Sequence, residues 1–261
     1  MAVGAAGRPL LELEDVSLGF GGIRALQHVT CQVHRGEMFS IIGPNGAGKT
    51  SMLNIISGIY RPTHGQIRVL GQDCTRVGPQ ALARLGIART FQNVALFKGM
   101  SVLDTLLVGR HLAMRCGFLA AGFRSPRWRR EEAAHRKAVE RLVEFLEIGA
   151  IIDRAADTLP YGLRKRVELG RALAMEPQLL LLDEPMSGMS AEEKADMVRF
   201  VLEANRTLGT TVILIEHDMG VVMDISQRVV VLDHGEKIAE GSPEAIRSNA
   251  AVIRAYLGEG D

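Results

Sequence analysis

The chain has 261 residues, 47% of them apolar, enough to bury a sizeable core as one large domain or as one domain with a sub-domain inserted, so disorder is not the default. Its 31 Lys and Arg against 30 Asp and Glu leave a formal charge of +1, which argues against bulk electrostatic binding of nucleic acid. Mean hydropathy is +0.10, yet no apolar run reaches the roughly 18 residues that cross a bilayer, and any membrane association is expected to be peripheral.

The start, MAVGAAGRPL, has no basic region followed by an apolar core. It reads as a loose tail of a cytoplasmic protein rather than a secretory signal. Cys31, Cys74 and Cys116 are odd in number and far apart, which fits reduced thiols and not a metal cluster.

Leu10 to Val16 and Val29 to Val33 are apolar stretches separated by Gly19, Gly21 and Gly22, the pattern of antiparallel strands. Met38 to Ile42 is a buried-strand pattern that runs into a Gly-rich turn and then a helical run from Lys49 to Gly58. Gly65 to Val69 and Arg89 to Phe91 read as two further strands of this opening region. From Ser101 to about Gly149 the pattern turns helical, which predicts an inserted helical sub-domain. Within it, 123–141 carries Arg124, Arg127, Arg129, Arg130, Arg136 and Lys137 beside Glu131 and Glu132, read as a solvated helix face, with a place near the membrane surface against anionic lipid heads or permease loops as the alternative. Apolar runs return at Leu179 to Leu182, Thr211 to Ile215 and Arg228 to Leu232, the rhythm of a mostly parallel sheet covered on both faces. Ser242 and Pro243 predict the cap and first residue of a short terminal helix through Ala255.

GPNGAGKT at 43–50 matches the phosphate-binding pattern G-x-x-x-x-G-K-[ST] between a predicted strand and a predicted helix. Gly43, Gly46 and Gly48 let backbone N–H groups turn inward around a polyphosphate, and Asn45, Ala47 and Ser51 complete the cradle. The helix opening at Lys49 points its positive end at the phosphates, the Lys49 ammonium neutralises the β and γ oxygens, and Thr50 offers a hydroxyl to Mg2+. LLLLDE at 179–184 ends an apolar strand in two carboxylates, at the sheet edge where α/β folds present side chains to ligands. Asp183 is placed to hold Mg2+ and Glu184 to act as general base toward a water attacking ATP.

The motifs between and after these two resemble an ABC ATPase across nearly the whole chain: TFQN at 90–93, LPYGL at 159–163 followed by Arg164, Lys165 and Arg166, LLLLDEP, and IEHD at 215–218. That resemblance implies an α/β P-loop NTPase core of mostly parallel strands, an N-terminal antiparallel β sub-domain and an inserted helical sub-domain. On the sequence, 10–92 and 167–240 form the nucleotide-binding core, 93–166 the helical sub-domain with the signature, and 241–261 a helical tail. It further implies that Gln92 reaches Mg2+ and the attacking water, that His217 bonds the γ-phosphate, and that Phe20 stacks on adenine. Tyr161 and Gly162 would belong to the segment that caps ATP held by a second cassette, similar or identical to this one.

LPYGLRKRVELGRAL, the C-terminal VIRAYLGE and the long helical insertion resemble the branch that imports branched-chain amino acids and related polar small molecules. The partners so implied are transmembrane permease subunits on the cytoplasmic face of the inner membrane and, indirectly, a solute-binding protein. A soluble ABC ATPase acting on ribosomes or nucleic acid is the main rival, but its two-cassette or coiled-coil organisation is not seen; a small-molecule kinase would need a basic lid in place of LPYGL and IEHD. Three positions depart from the family pattern: Pro160 and Leu163 in the signature and Ser190 in MSGMS. Pro160 offers neither hydroxyl nor N–H, which predicts a weakened cap and a heteromeric pair with unequal sites.

Overall fold

The computed structural model describes residues 8–90, 96–111 and 126–257. Contacts divide the chain into two units, Met1–Arg89 with Gln178–Glu184 and Leu202–Asp261, and Thr90–Pro177 with Pro185–Val201.

The first unit holds two sheets. Strands β1 (Leu11–Phe20), β2 (Ile23–Val33), β4 (His64–Val69) and β5 (Gln72–Asp73) form an antiparallel sheet in the order β2-β1-β4-β5. Leu11 and Leu13 are buried by alternation, and so are Val16 and Leu18. A register shift between Leu13 and Val16, with Asp15 at φ 53, lets the second pair return to the same face.

The second sheet contains β3 (Met38–Ile42), β6 (Ile87–Arg89), β7 (Leu179–Asp183), β8 (Thr211–Ile215), β9 (Arg228–Asp233) and β10 (Glu236–Gly241) in the order β10-β9-β3-β8-β7-β6. Every residue of β3, β7 and β8 is buried, as continuous apolar strands covered on both faces must be. All its pairings are parallel except that of β10 with β9. Helix α1 (Lys49–Ile56) follows β3, and the short α2 (Pro79–Arg84) precedes β6.

The second unit contains α3 (Val102–Gly109), α4 (Pro126–Phe145), α5 (Tyr161–Leu173) and the first part of α6 (Ala191–Leu208). A Cβ on Gly170 would stand 2.7 Å from Leu146 Cδ1 and 2.8 Å from Leu106 Cδ2, so α5 packs closely against its neighbours there. The buried Arg110 donates to the Ala174 carbonyl at 2.8 Å and pairs with Glu176 at 2.8 Å. On α4, Glu132 and Arg136 form an i,i+4 pair at 3.3 Å; Arg124 lies outside the described residues, as do the side chains of Arg127, Arg129, Arg130 and Glu131.

Four expectations change. The strand expected from Arg89 to Phe91 in the opening sheet is replaced by β6, which ends at Arg89 and pairs in parallel with β7, Ile87 opposite Leu179 and Arg89 opposite Leu181; Phe91 lies outside the described residues. The boundary drawn at 166/167 falls inside the continuous α5, and contacts end that stretch of the helical unit at Pro177 and add 185–201 to it. The terminal helix is two helices, α8 (Pro243–Arg247) and α9 (Ala250–Leu257), because Asn249 Oδ1 accepts from Ala251 N at 2.9 Å and Val252 N at 3.3 Å and so restarts the chain with a new cap. Strand β10, charged at Glu236, Lys237 and Glu240, has little apolar signal and was not anticipated. Ahead of these helices stands α7 (Met219–Ile225), capped by Asp218, and no described helix is long and apolar enough to cross a membrane.

Candidate active site

The phosphate loop leaves the carboxyl end of β3, the two acidic residues leave β7, and His217 follows β8. Ile41 is opposite Ile215, which is in turn opposite Asp183. Two strand spacings, about 10 Å, therefore separate the backbone of the phosphate-loop strand from that of the acidic strand. One edge of a parallel sheet gathers all three, which is where such sheets bind ligands.

Within the loop, Gly43, Gly46 and Gly48 have φ of 149, 80 and 101, values open to glycine and strained for other residues. Gly48 is also the N-cap of α1, and a Cβ there would lie 2.5 Å from the Ala25 carbonyl oxygen. Asn45 and Gly46 are exposed at the tip, Ala47 is buried, Ser51 is half-buried and Thr50 is exposed in the first turn of α1. Lys49 is 7% exposed, and its ammonium donates to the carbonyls of Gly43 at 2.7 Å and Pro44 at 2.8 Å. The cation is thus held inside the ring of the loop.

Asp183 and Glu184 diverge because their backbones differ. Asp183 ends the strand, 2% exposed, with Oδ2 accepting from Arg89 Nη2 at 2.9 Å. Glu184 adopts φ 49 while its N–H donates to the Ile215 carbonyl at 2.9 Å. A left-handed non-glycine residue costs on the order of 1–2 kcal/mol, and here it turns the Glu184 carboxylate to 2.5 Å from His217 Nε2. The carboxylate is mostly sheltered while the His217 ring is half exposed, so the pair has one face toward bulk water.

A carboxylate held by an imidazole at the mouth of a phosphate loop can take a proton from a water. Asp183 and the Thr50 hydroxyl offer hard oxygen donors, which suit Mg2+, an ion held by phosphates plus one or two protein oxygens. Among the described residues no group of three or more His, Cys, Asp and Glu is arranged as a metal cage, and Mg2+ with a nucleotide needs none.

Phe20 is not a core residue: it is 46% exposed and meets Tyr60 edge-on, ring centroids 5.0 Å apart. Tyr60, missed from sequence, extends the exposed aromatic surface available for stacking. Gln92 lies outside the described residues. Tyr161 and Gly162 open α5 in the helical unit, after Pro160 as a cap without side-chain hydrogen bond. The Tyr161 ring packs 3.3 Å from where a Cβ on Gly188 would stand, and a Cβ on Gly162 would collide with the Glu193 carboxylate. Glu193 is fixed because it forms a reciprocal cap with Ser190, Ser190 N to Glu193 Oε2 at 2.9 Å and Glu193 N to Ser190 Oγ at 3.2 Å. The departure at Ser190 therefore preserves a helix start. Arg89 was not foreseen as a site residue, although a cation ending the three-residue strand IAR just before TFQN was a signal for it.

Residues 26–187 match the family described as ABC transporter, and residues 236–261 match the one described as branched-chain amino acid ATP-binding cassette transporter. The chain is 42% identical over 255 residues to the high-affinity branched-chain amino acid transport ATP-binding protein BraF of Pseudomonas aeruginosa, covering 97% of this chain and 99% of that one. It superimposes on the ADP conformation of MJ1267, an ATP-binding cassette of an ABC transporter, with a TM-score of 0.83 at 32% identity, covering 97% of this chain and all of that one. The dimeric post-hydrolysis state of the cassette MJ0796 bound to ADP and Pi is similar at a TM-score of 0.75 and 25% identity, covering 89% of this chain and 98% of that one. With a phosphate loop, an acidic strand end and a strand-end histidine on one sheet edge, and with these relatives matched over nearly its full length, the chain belongs to the ABC transporter family and is its ATP-binding, ATP-hydrolysing subunit.

Proposed function

We propose that this chain powers an importer for branched-chain amino acids or related polar small molecules, working as one of two cassettes beneath permease subunits on the cytoplasmic face of the inner membrane. The match of residues 236–261 to the branched-chain cassette family and the likeness to BraF support the cargo. A solute-binding protein would deliver that cargo from outside, and nucleic acid has no part in the cycle.

The observation that carries the ATPase chemistry is the pairing of Glu184 with His217 at the edge that also presents Lys49 and Asp183. Lys49 binds and neutralises the β- and γ-phosphates from within the loop, while the backbone N–H groups of Gly46 to Thr50 cradle them and Phe20 stacks on the base. Thr50, Asp183 and Gln92 are the residues that would hold Mg2+, which when bound supplies charge neutralisation at the phosphate oxygens. Glu184 accepts the proton of the attacking water, and His217 orients Glu184 and the γ-phosphate. Tyr161 and Gly162 serve the partner cassette's nucleotide, so ATP joins the pair and its hydrolysis separates them.

Reconstitution of the chain with its permease, second cassette and solute-binding protein in vesicles tests this reading. ATP-dependent uptake of leucine, isoleucine or valine is expected. Uptake of urea, amides or aromatic acids in their place would overturn the cargo, and ATPase activity indifferent to any loaded binding protein would overturn the importer.

A further inference from the structure

The side chain of Arg89, at the carboxyl end of β6, is buried and binds three side chains at once. Nη1 donates to Asn54 Oδ1 at 2.7 Å and to Ser57 Oγ at 2.9 Å, and Nη2 pairs with Asp183 Oδ2 at 2.9 Å. Both members of the ion pair are nearly inaccessible, the side chains 7% and 3% exposed. Asn54 and Ser57 lie at the far end of the helix that begins with Lys49 and Thr50, so the guanidinium also sits at that helix's negative pole. One planar cation thus joins β6, the carboxyl end of β7 and the C-terminal end of α1.

The position on the chain adds a second point. The chain passes from the nucleotide-binding unit to the helical unit directly after Arg89, and again directly after Glu184. The Arg89–Asp183 pair therefore locks together the ends of two adjacent parallel strands from which the chain leaves.

We propose that Arg89 is a positioning residue for the metal side of the ATP site. It holds the Asp183 carboxylate in one orientation relative to the helix that carries Thr50. A bond to one oxygen from a guanidinium that is itself held by Asn54 and Ser57 fixes the plane of the whole carboxylate, and outer partners of this type typically govern metal affinity by about 10- to 100-fold. Lysine cannot replace the function, because a single ammonium does not span three partners in a plane. The inference rests on the reading of Asp183 as a Mg2+ residue.

The test uses the purified full chain and a fluorescent ATP analogue, with dissociation constants measured in EDTA and in excess Mg2+. The ratio of the two is the factor by which the metal tightens nucleotide binding, and by linkage the factor by which the protein tightens metal on the nucleotide. For Arg89→Gln the constant in EDTA should stay within about twofold of wild type while the tightening factor falls about tenfold. Arg89→Lys should lower it by severalfold and carries the test alone if the glutamine variant fails to fold. A tightening factor equal to that of wild type in a folded Arg89 variant would overturn the proposal and leave Arg89 as a packing staple. Asp183→Asn separates the two readings: loss of tightening there with none at Arg89 refutes only the role of Arg89, whereas full tightening in Asp183→Asn removes Asp183 from the metal site and both readings with it.

Discussion

The Glu184 carboxylate lies 2.5 Å from His217 Nε2, although the two residues leave different strands of the sheet. The left-handed turn at Glu184 creates this contact by sending its side chain away from the direction taken by Asp183. His217→Ala removes the partner and leaves the phosphate loop untouched. Hydrolysis in the assembled transporter should fall about 100-fold or more, the scale of a disrupted proton transfer, with ATP affinity changed far less. Parallel ATPase and nucleotide-binding measurements check this, and equal losses in both would show that His217 serves binding alone.

Lys49→Ala should abolish turnover and weaken ATP binding. The ammonium is buried in the loop by two backbone carbonyls, and each charged hydrogen bond lost to a phosphate costs about 1.5–3 kcal/mol, or roughly 10- to 100-fold in affinity. Titration with a fluorescent nucleotide gives the loss directly.

The C-terminal helices are fastened to the ATP site's own strand. Ile246 and Val252 share a buried cluster with Val222, Val229, Val231 and Ile42, the residue just before the phosphate loop. Deleting the chain after Gly241 is therefore expected to lower Tm while a folded product still binds ATP. Ile246→Ala isolates the packing contribution and should cost about 2–5 kcal/mol in denaturant unfolding.

Burial pushes the Cys31 thiol up to about 12, and Cys74 is also buried with its thiol raised by desolvation. In a Cys116→Ser background both should react with a thiol reagent only as the protein unfolds, since the thiolate is the reactive form. Rapid labelling of the native chain would contradict their burial.

The parts of the site that were legible in the sequence are those whose geometry is local. Gly43, Gly46 and Gly48 write the curvature of the phosphate loop into eight consecutive letters, and LLLLDE announces both a buried strand and the side chains at its end. What stayed hidden depends on residues distant in sequence. Ile87–Arg89 is too short to signal which sheet it joins, and the fork of Arg89 needs Asn54, Ser57 and Asp183 to be recognised at all. The small residue at Gly162 is demanded by Glu193 from another helix, and Ser190 looked like a departure until its cap with Glu193 was visible.

Pro160 bears on the pairing of cassettes. It caps α5 without a side-chain hydrogen bond, and one missing donor to a charged oxygen costs about 1.5–3 kcal/mol. If the pair is heteromeric, the site capped by this chain's signature should close more weakly than the one holding its own Glu184. Pro160→Ser is expected to raise nucleotide-driven dimerisation, measured by size-exclusion chromatography or light scattering; no gain would show that the backbone amides of α5 suffice.

Glu184→Gln tests the central claim most directly, because the carboxamide keeps the shape of the site and removes its base. ATP turnover of the assembled transporter and ATP-dependent dimerisation of the cassettes are to be measured on the same preparation. The expected result is ATP bound at wild-type affinity, turnover reduced at least about 100-fold, and nucleotide-joined dimers that accumulate. Hydrolysis at the wild-type rate would contradict the account and move the general base away from Glu184.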